Sequence, residues 1–330
     1  MEYRQFGQTE LRVSVVGFGA WAIGGPAQVG DMAIGWGPTN DAESVGSIER
    51  ALELGINFFD TADFYGLGHS ETLLGRIVGN RSDVVIASKT GQKIGDNGGV
   101  GIDYSKKHIL QTCEDSLRRL RRDAIDFHHL HVARMQHLEQ GECIEAMEQL
   151  VQEGKVRYWG ISLNTFAPEP EADFFFQHQI GHGFQLVFNV INQRAAGVIE
   201  RARNAGYGVI ARMPLQFGLL SGKFTPQTTF HPEDHRAKRL RPEVLERALS
   251  DLQPFAEMAH HKGITQAQLA LSFAAHYPGI TTIIPGIRTP HQAELNADAV
   301  VALNDEDMKA LRFLYDEHLS DLMTFLETAG

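Results

Sequence analysis

The chain has 330 residues, a formal net charge of −11, 43% hydrophobic and 22% charged residues. The acidic balance, with no basic stripe, points away from a nucleic-acid partner. No stretch approaches the ~18 consecutive apolar residues of a membrane span, and the charged opening Met1-Glu2-Tyr3-Arg4 carries no apolar signal region. A cytoplasmic protein is the expectation. The two cysteines, Cys113 and Cys143, fall in charged, helix-like stretches and are expected as free thiols.

In chain order, Tyr3-Arg4-Gln5-Phe6, a turn at Gly7-Gln8 and Leu11-Arg12-Val13 predict an N-terminal β-hairpin. A repeating rhythm of short apolar strand and helix then begins. Strands are predicted at 15–18, 56–60, 84–88, 124–130, 156–162, 185–189, 207–212 and 281–284. Helices are predicted at 41–54, 70–78, 105–120 (capped by Ser105), 137–152, 172–178 and 198–204. Residues 215–241 break the pattern as a loop rich in Gly, Thr, Pro and charge. Helices at 242–261, 265–276, 290–297 and 305–319 complete the chain. Near-continuous apolar strands alternating with helices predict a parallel sheet, and eight units favour closure into a barrel over an open sheet. The expectation is one α/β domain over residues 1–330: a (β/α)₈ TIM barrel with an N-terminal hairpin and extra C-terminal helices.

In such a barrel the chemistry sits at the C-terminal ends of the strands. The second strand ends at Asp60 and leads through Thr61-Ala62-Asp63-Phe64 to Tyr65; the third ends near Lys89; the fourth ends at His131. A carboxylate, a phenol, an ammonium and an imidazole thus converge on one rim. A phenol, with a pKa of ~10, becomes a useful acid beside a cation. Lys89 supplies that cation, Asp60 anchors it, and His131 can hydrogen-bond a substrate oxygen. A carbonyl carbon also needs a hydride, which no side chain provides, so a nicotinamide is implied.

Several segments resemble one family together. They are Asn57-Phe58-Phe59-Asp60-Thr61-Ala62-Asp63-Phe64-Tyr65-Gly66, Ala87-Ser88-Lys89-Thr90 and Ile125-Asp126-Phe127-His128-His129-Leu130-His131. Gly154-Lys155-Val156-Arg157-Tyr158-Trp159-Gly160-Ile161-Ser162, Pro214-Leu215 with Gly218-Leu219-Leu220-Ser221-Gly222-Lys223, and Ile284-Pro285-Gly286 follow in the same order. Over nearly its whole length the chain resembles the aldo-keto reductase superfamily, and within it the bacterial inositol- and stress-associated reductases. The resemblance implies reversible NADP(H)-dependent reduction of aldehyde, ketone or sugar carbonyls, with Tyr65 as proton donor and Asp60, Lys89 and His131 as partners. It implies that Ser162 and Gln185 hold the nicotinamide carboxamide and that Arg212 stands where many relatives stack an aromatic on the ring. It assigns Pro214, Leu215, Gly218 and Lys223 to the pyrophosphate, and Gly286, Arg288, Gln292 and Asn296 to the adenosine phosphate.

The chain departs from the family's pattern at Val132-Ala133-Arg134 after His131 and at Leu163, which separates Ser162 from Asn164. At the adenosine segment Gly286 and Gln292 stand where relatives often carry cations, leaving Arg288 to clamp a 2′-phosphate. NADP(H) is expected, with NADH use open.

Other readings are weaker. His128, His129 and His131 suggest a metal, but Lys89 would repel a cation and no second His pair lies at another strand end, so no metal is expected. Gly17-Phe18-Gly19 and 95–101 are poor phosphate loops. The first suits close backbone approach to the nicotinamide end, placing Gly19, with Trp21 and Asp60, among candidate cofactor contacts. Trp21 and Trp36 are candidates for the substrate pocket, and Phe174-Phe175-Phe176 for core. On the same fold, a nicotinamide-sensing regulatory subunit with little turnover is the alternative function. Oligomeric state is not readable from the sequence.

Overall fold

Runs of Val, Ile, Phe and Leu suit strands covered on both faces. In the computed structural model, which describes residues 1–329, eight such strands form one parallel sheet. They are β1 (Phe18–Gly19), β2 (Phe58–Asp60), β3 (Val85–Thr90), β4 (Ile125–His131), β5 (Val156–Ser162), β6 (Gly183–Val187), β7 (Gly208–Arg212) and β8 (Thr282–Ile284). Neighbours pair in chain order, and parallel bridges from Val16 to Ile283 and from Gly19 to Gly286 close the ring. The Gly17 and Gly19 N–H groups donate to the Ile283 and Pro285 carbonyls at 2.8 and 3.0 Å. A Cβ on Gly19 would stand 2.8 Å from the Pro285 oxygen. Gly17-Phe18-Gly19 therefore runs against β8 and the Pro285 that follows it, which closes the (β/α)₈ barrel.

Strand alternation sorts the side chains. Phe59, Ile86, Leu130, Ile161, Phe184, Leu186, Val209 and Ile283 join the large core shared with the surrounding helices. Phe58, Val85, Ala87, Phe127, Ile210 and Ile284 form a second core inside the barrel, with Phe6, Leu11 and Val13 of the N-terminal hairpin (Tyr3–Gln5 with Arg12–Ser14). The Phe6 ring meets Phe127 edge-on at 4.8 Å, and a Cβ on Gly183 would fall 2.7 Å from it. The hairpin thus plugs the end of the barrel opposite the strand C-termini.

Several boundaries differ from expectation. The helix at 137–152 is two, Met135–Gln140 and Glu142–Gln152, because Gly141 turns left-handed at φ 82°. The helix at 242–261 divides into Pro242–Asp251 and Gln253–His261, since Pro254 lacks the N–H that would continue the first. The last helix does not stop at 319: a π-helical turn (Tyr315–Leu319) leads into Ser320–Ala329, which buries Leu322 and Met323. β6 runs two residues earlier than 185–189, because Asn189 folds its side chain into a turn, accepting from the Ile191 and Asn192 N–H groups at 2.9 Å. The loops at 22–40 and 95–101 belong to small hairpins, Ala27–Val29 with Met32–Ile34 and Gln92–Ile94 with Val100–Ile102. Both cysteines are free and buried, and Phe175 packs in the core against Trp159 and Phe184. Among the described residues no helix is long and apolar enough to cross a membrane.

Candidate active site

β2 ends at Asp60, β3 carries Lys89 in register with His129, and β4 ends at His131. Tyr65 sits on the turn after β2, where Gly66, Leu67 and Gly68 all take left-handed conformations. Any side chain on Gly66 would overlap the Gly24 carbonyl, so that glycine seats the Tyr65 turn on the loop after β1. Lys89 is wholly buried. Its ammonium donates to both Asp60 oxygens at 2.9 and 2.8 Å, to the Thr61 carbonyl at 2.7 Å and to the Tyr65 oxygen at 3.1 Å. An ammonium has no acceptor, so the Tyr65 oxygen must accept from it, leaving the phenolic O–H free to donate elsewhere. Tyr65, 8% exposed, has Trp21 perpendicular to it at 4.8 Å and the His131 ring at 6.0 Å. The His131 carbonyl accepts from the Tyr104 hydroxyl, which ties down the end of β4.

Burial disfavours the Lys89 ammonium, but the Asp60 carboxylate and the Tyr65 oxygen outweigh it and hold its pKa above the ordinary lysine value. Burial likewise lifts the Asp60 carboxyl, against the pull of Lys89 and the Gln185 amide. For Tyr65 the sequence-based expectation was a phenol made more acidic by Lys89. The ammonium does lower it, yet burial is the larger effect and leaves the phenol above its ordinary value, firmly protonated at neutral pH. Burial, Lys89 and Arg212 push His131 well below the usual imidazole range, so its ring is neutral.

Asp60, Tyr65 and His131 line a cavity of about 870 Å³, with Lys89 buried behind them. Gly19, Trp21, Gln185, Arg212, Pro214, Leu215, Gly218, Lys223, Gly286, Gln292 and Asn296 line it, as does Trp36. Gln185 donates its amide N–H to Asp60 at 2.6 Å, while its Oε1 is buried without a partner. Ser162, its neighbour in register on β5, has an equally unpartnered Oγ. Arg212 donates to the Leu163 carbonyl at 3.3 Å and Thr165 Oγ1 at 3.1 Å, leaving Nε unpaired. Arg288 is not in the cavity wall; its guanidinium donates to the Trp36 carbonyl at 3.1 Å, and its N–H to Gln292 Oε1 at 2.8 Å. Asn164 Oδ1 accepts from the Phe166 N–H at 2.9 Å, while Leu163 is buried in the core.

His128 and His129 are packed inside the protein, with His129 4.7 Å from the Phe127 ring. Among the described residues no three His, Cys, Asp or Glu side chains gather as a metal would require.

The sequence reading missed two features. After β7, Met213, Gln216 and Phe217 are all left-handed, a strain of order 1–3 kcal/mol each. The buried Asn189 clamps them, donating to the Met213 carbonyl and Gln216 Oε1 at 2.9 Å. Second, residues within 231–239 lie against the loop after β1, through a Trp36–Asp234 bridge, and bring His235 and Arg239 to the cavity. The 215–241 segment has no periodicity that would have placed them.

The Aldo/keto reductase family model matches residues 15–316. The aldo-keto reductase YhdN of Bacillus subtilis (strain 168) is 30% identical over 97% of this chain and 96% of its own length. A probable voltage-gated potassium channel subunit beta of Arabidopsis thaliana is 27% identical over 91% of each chain. Among solved structures, the glycerol dehydrogenase of Gluconobacter oxydans matches with a TM-score of 0.79 at 28% identity, covering 96% of this chain and 95% of that one.

Proposed function

The chain belongs to the aldo/keto reductase family, and from that membership we propose that it is an NADP(H)-dependent oxidoreductase that reversibly reduces aldehyde, ketone or sugar carbonyls. The observation that carries the reading is the Lys89 ammonium, held by both Asp60 oxygens and donating to the hydroxyl of Tyr65, which lines the cavity. The unpartnered Ser162 hydroxyl and Gln185 Oε1 supply one donor and one acceptor side by side, which fits a primary carboxamide. When bound, a reduced nicotinamide supplies the hydride. Tyr65 gives its free proton to the substrate oxygen. As that proton leaves, Lys89 stabilises the phenolate, and Asp60 keeps Lys89 charged and in place. The neutral His131 ring adds a hydrogen bond to the same oxygen. In the reverse direction the Tyr65 phenolate takes the alcohol proton. Arg212 lines the same cavity as Asp60, Tyr65 and His131, Pro214, Leu215, Gly218 and Lys223 suit the pyrophosphate, and Gly286, Gln292 and Asn296, with Arg288 bonded to Gln292, suit the adenosine end. Arg288, joined through its backbone N–H to the cavity-lining Gln292, is the cation that favours NADP(H) over NADH, and clamping a 2′-phosphate requires its guanidinium to leave the Trp36 carbonyl.

Tyr65→Phe tests this. Turnover should fall about 10²–10⁴-fold, with cofactor affinity, read by nicotinamide fluorescence, nearly unchanged. Wild-type rates in that variant would remove Tyr65 as the acid. The likeness to a potassium channel subunit beta supports a second reading, a nicotinamide sensor. It would be favoured if NADPH bound but was not oxidised across a panel of aldehydes, ketones and sugars.

A further inference from the structure

His235 lines the cavity but has no part in that proton transfer. Its backbone N–H donates to the Gly35 carbonyl at 3.0 Å, beside the Trp36–Asp234 bridge, so the ring's place at the mouth is set by the backbone. The imidazole lies between aromatic walls, 6.2 Å from the Trp21 ring and 5.6 Å from Phe217. Arg239 Nε donates to His235 Nε2 at 2.8 Å. A guanidinium cannot accept, so Nε2 must present its lone pair, and the neutral ring carries its proton on Nδ1. Burial and the neighbouring Arg239 hold the ring's pKa down to about 4, so it is neutral near pH 7. The tautomer is thereby fixed as an Nδ1–H donor, and that nitrogen is buried with no partner in the protein. Buried donors are rarely left unmade; one on a side chain that lines a cavity calls for a ligand acceptor.

We propose that His235 is a specificity-determining residue whose Nδ1–H donates to a hydroxyl oxygen of the substrate beyond its carbonyl. The site then prefers hydroxylated carbonyl compounds, sugars and hydroxyaldehydes, to alkyl aldehydes of equal length. This rests on the carbonyl-reductase reading above. Trp21 links the two ends: its indole contacts both the Tyr65 ring, at 4.8 Å, and the His235 ring. A substrate whose carbonyl meets the Tyr65 hydroxyl runs along that indole toward His235. The acceptor is an uncharged oxygen rather than a phosphate. Arg236 is neutralised by the buried Asp234 at 2.6 Å, and Arg239 is turned onto the imidazole and the Phe217 ring.

The test compares kcat/KM for erythrose and butanal, both four-carbon aldehydes, with NADPH and the full-length protein. His235→Phe keeps the ring's bulk without the donor. It should lose about fivefold on erythrose, one hydrogen bond's worth, and stay within about twofold on butanal and in NADPH affinity. His235→Asn, whose amide N–H stands near the Nδ1 position, should recover most of the loss. Should the Phe variant fail to fold, His235→Leu repeats the measurement. Equal losses on both aldehydes, a weakened NADPH affinity, or identical behaviour of the Phe and Asn variants would overturn the assignment of His235 alone. A wild-type protein that reduces neither aldehyde with either nicotinamide would bring down the carbonyl-reductase reading, and this inference with it.

Discussion

Asp126 and Asp60 are both buried carboxylates on barrel strands, one toward each end, and their partners differ in kind. Asp126 accepts from the Ile86 N–H at 2.9 Å, Arg122 at 3.0 Å and Arg157 at 2.9 Å, all within the protein fabric. Asp60 accepts from Lys89 and Gln185, and each of these reaches onward. Lys89 donates to Tyr65, and Gln185 keeps an unpartnered oxygen. The same contrast separates the ends themselves. The hairpin end is filled by Phe6 against Phe127, whereas the opposite end is an open cavity lined by Gln185, Arg212, Trp36 and His235, each with an unpaired polar atom. A buried polar group that completes its bonds within the protein contributes to stability; one left with spare donors or acceptors beside a cavity is shaped for a ligand.

That contrast breaks most visibly at Lys89. Lys89→Met should lower turnover about 10²–10⁴-fold and displace the pH profile in a defined sense. Reduction needs the Tyr65 phenol protonated, so in the wild-type protein its rate should hold through neutrality and fall only at alkaline pH, the phenol being raised by burial. Oxidation needs the phenolate and should rise with pH. Without Lys89 the largest offset to burial is gone and only the weaker pull of Arg212 remains, so the oxidation limb should move to higher pH; a limb that stays put or moves lower would refute the role of the ammonium. No His131 limb should appear between about pH 5 and 8, because that ring is held neutral.

At the other end, Phe6→Ala should cost about 3–5 kcal/mol of stability, read as a shift of the urea midpoint, with kcat/KM per folded molecule unchanged. A loss of turnover without a loss of stability would show that the plug and the site are not separable. The smallest effect sharpens the comparison. Ser162→Ala removes a buried hydroxyl that has no partner in the protein. Stability should hold or rise slightly, while the KM for the nicotinamide should rise about fivefold, for one neutral hydrogen bond of about 1 kcal/mol. An unchanged KM would take Ser162 out of the proposed carboxamide contact.

Much of the site was legible because strands alternate sides and a barrel's chemistry gathers at their C-terminal ends. Asp60, Lys89 and His131 could be placed on one rim from residue type and strand position alone. The fate of a single amide could not: that Gln185 turns its nitrogen to Asp60 and its oxygen to the cavity follows from which groups it meets across the barrel. Nor could the setting of Arg288, whose orientation toward the Trp36 carbonyl depends on a loop far away in the chain.

The pattern of apolar runs and helical stretches was enough, by itself, to specify eight strands, their order and the rim that carries the polar groups, because hydrophobic periodicity and local turn residues act over a few positions. Only the tertiary structure decided how deep each polar group lies, and depth reversed the expected direction of the Tyr65 shift, since the desolvation of a phenol depends on everything packed around it. It also decided where the aperiodic 215–241 segment goes. The contacts that bring His235 over the cavity join backbone stretches distant in sequence, and no local signal encodes them.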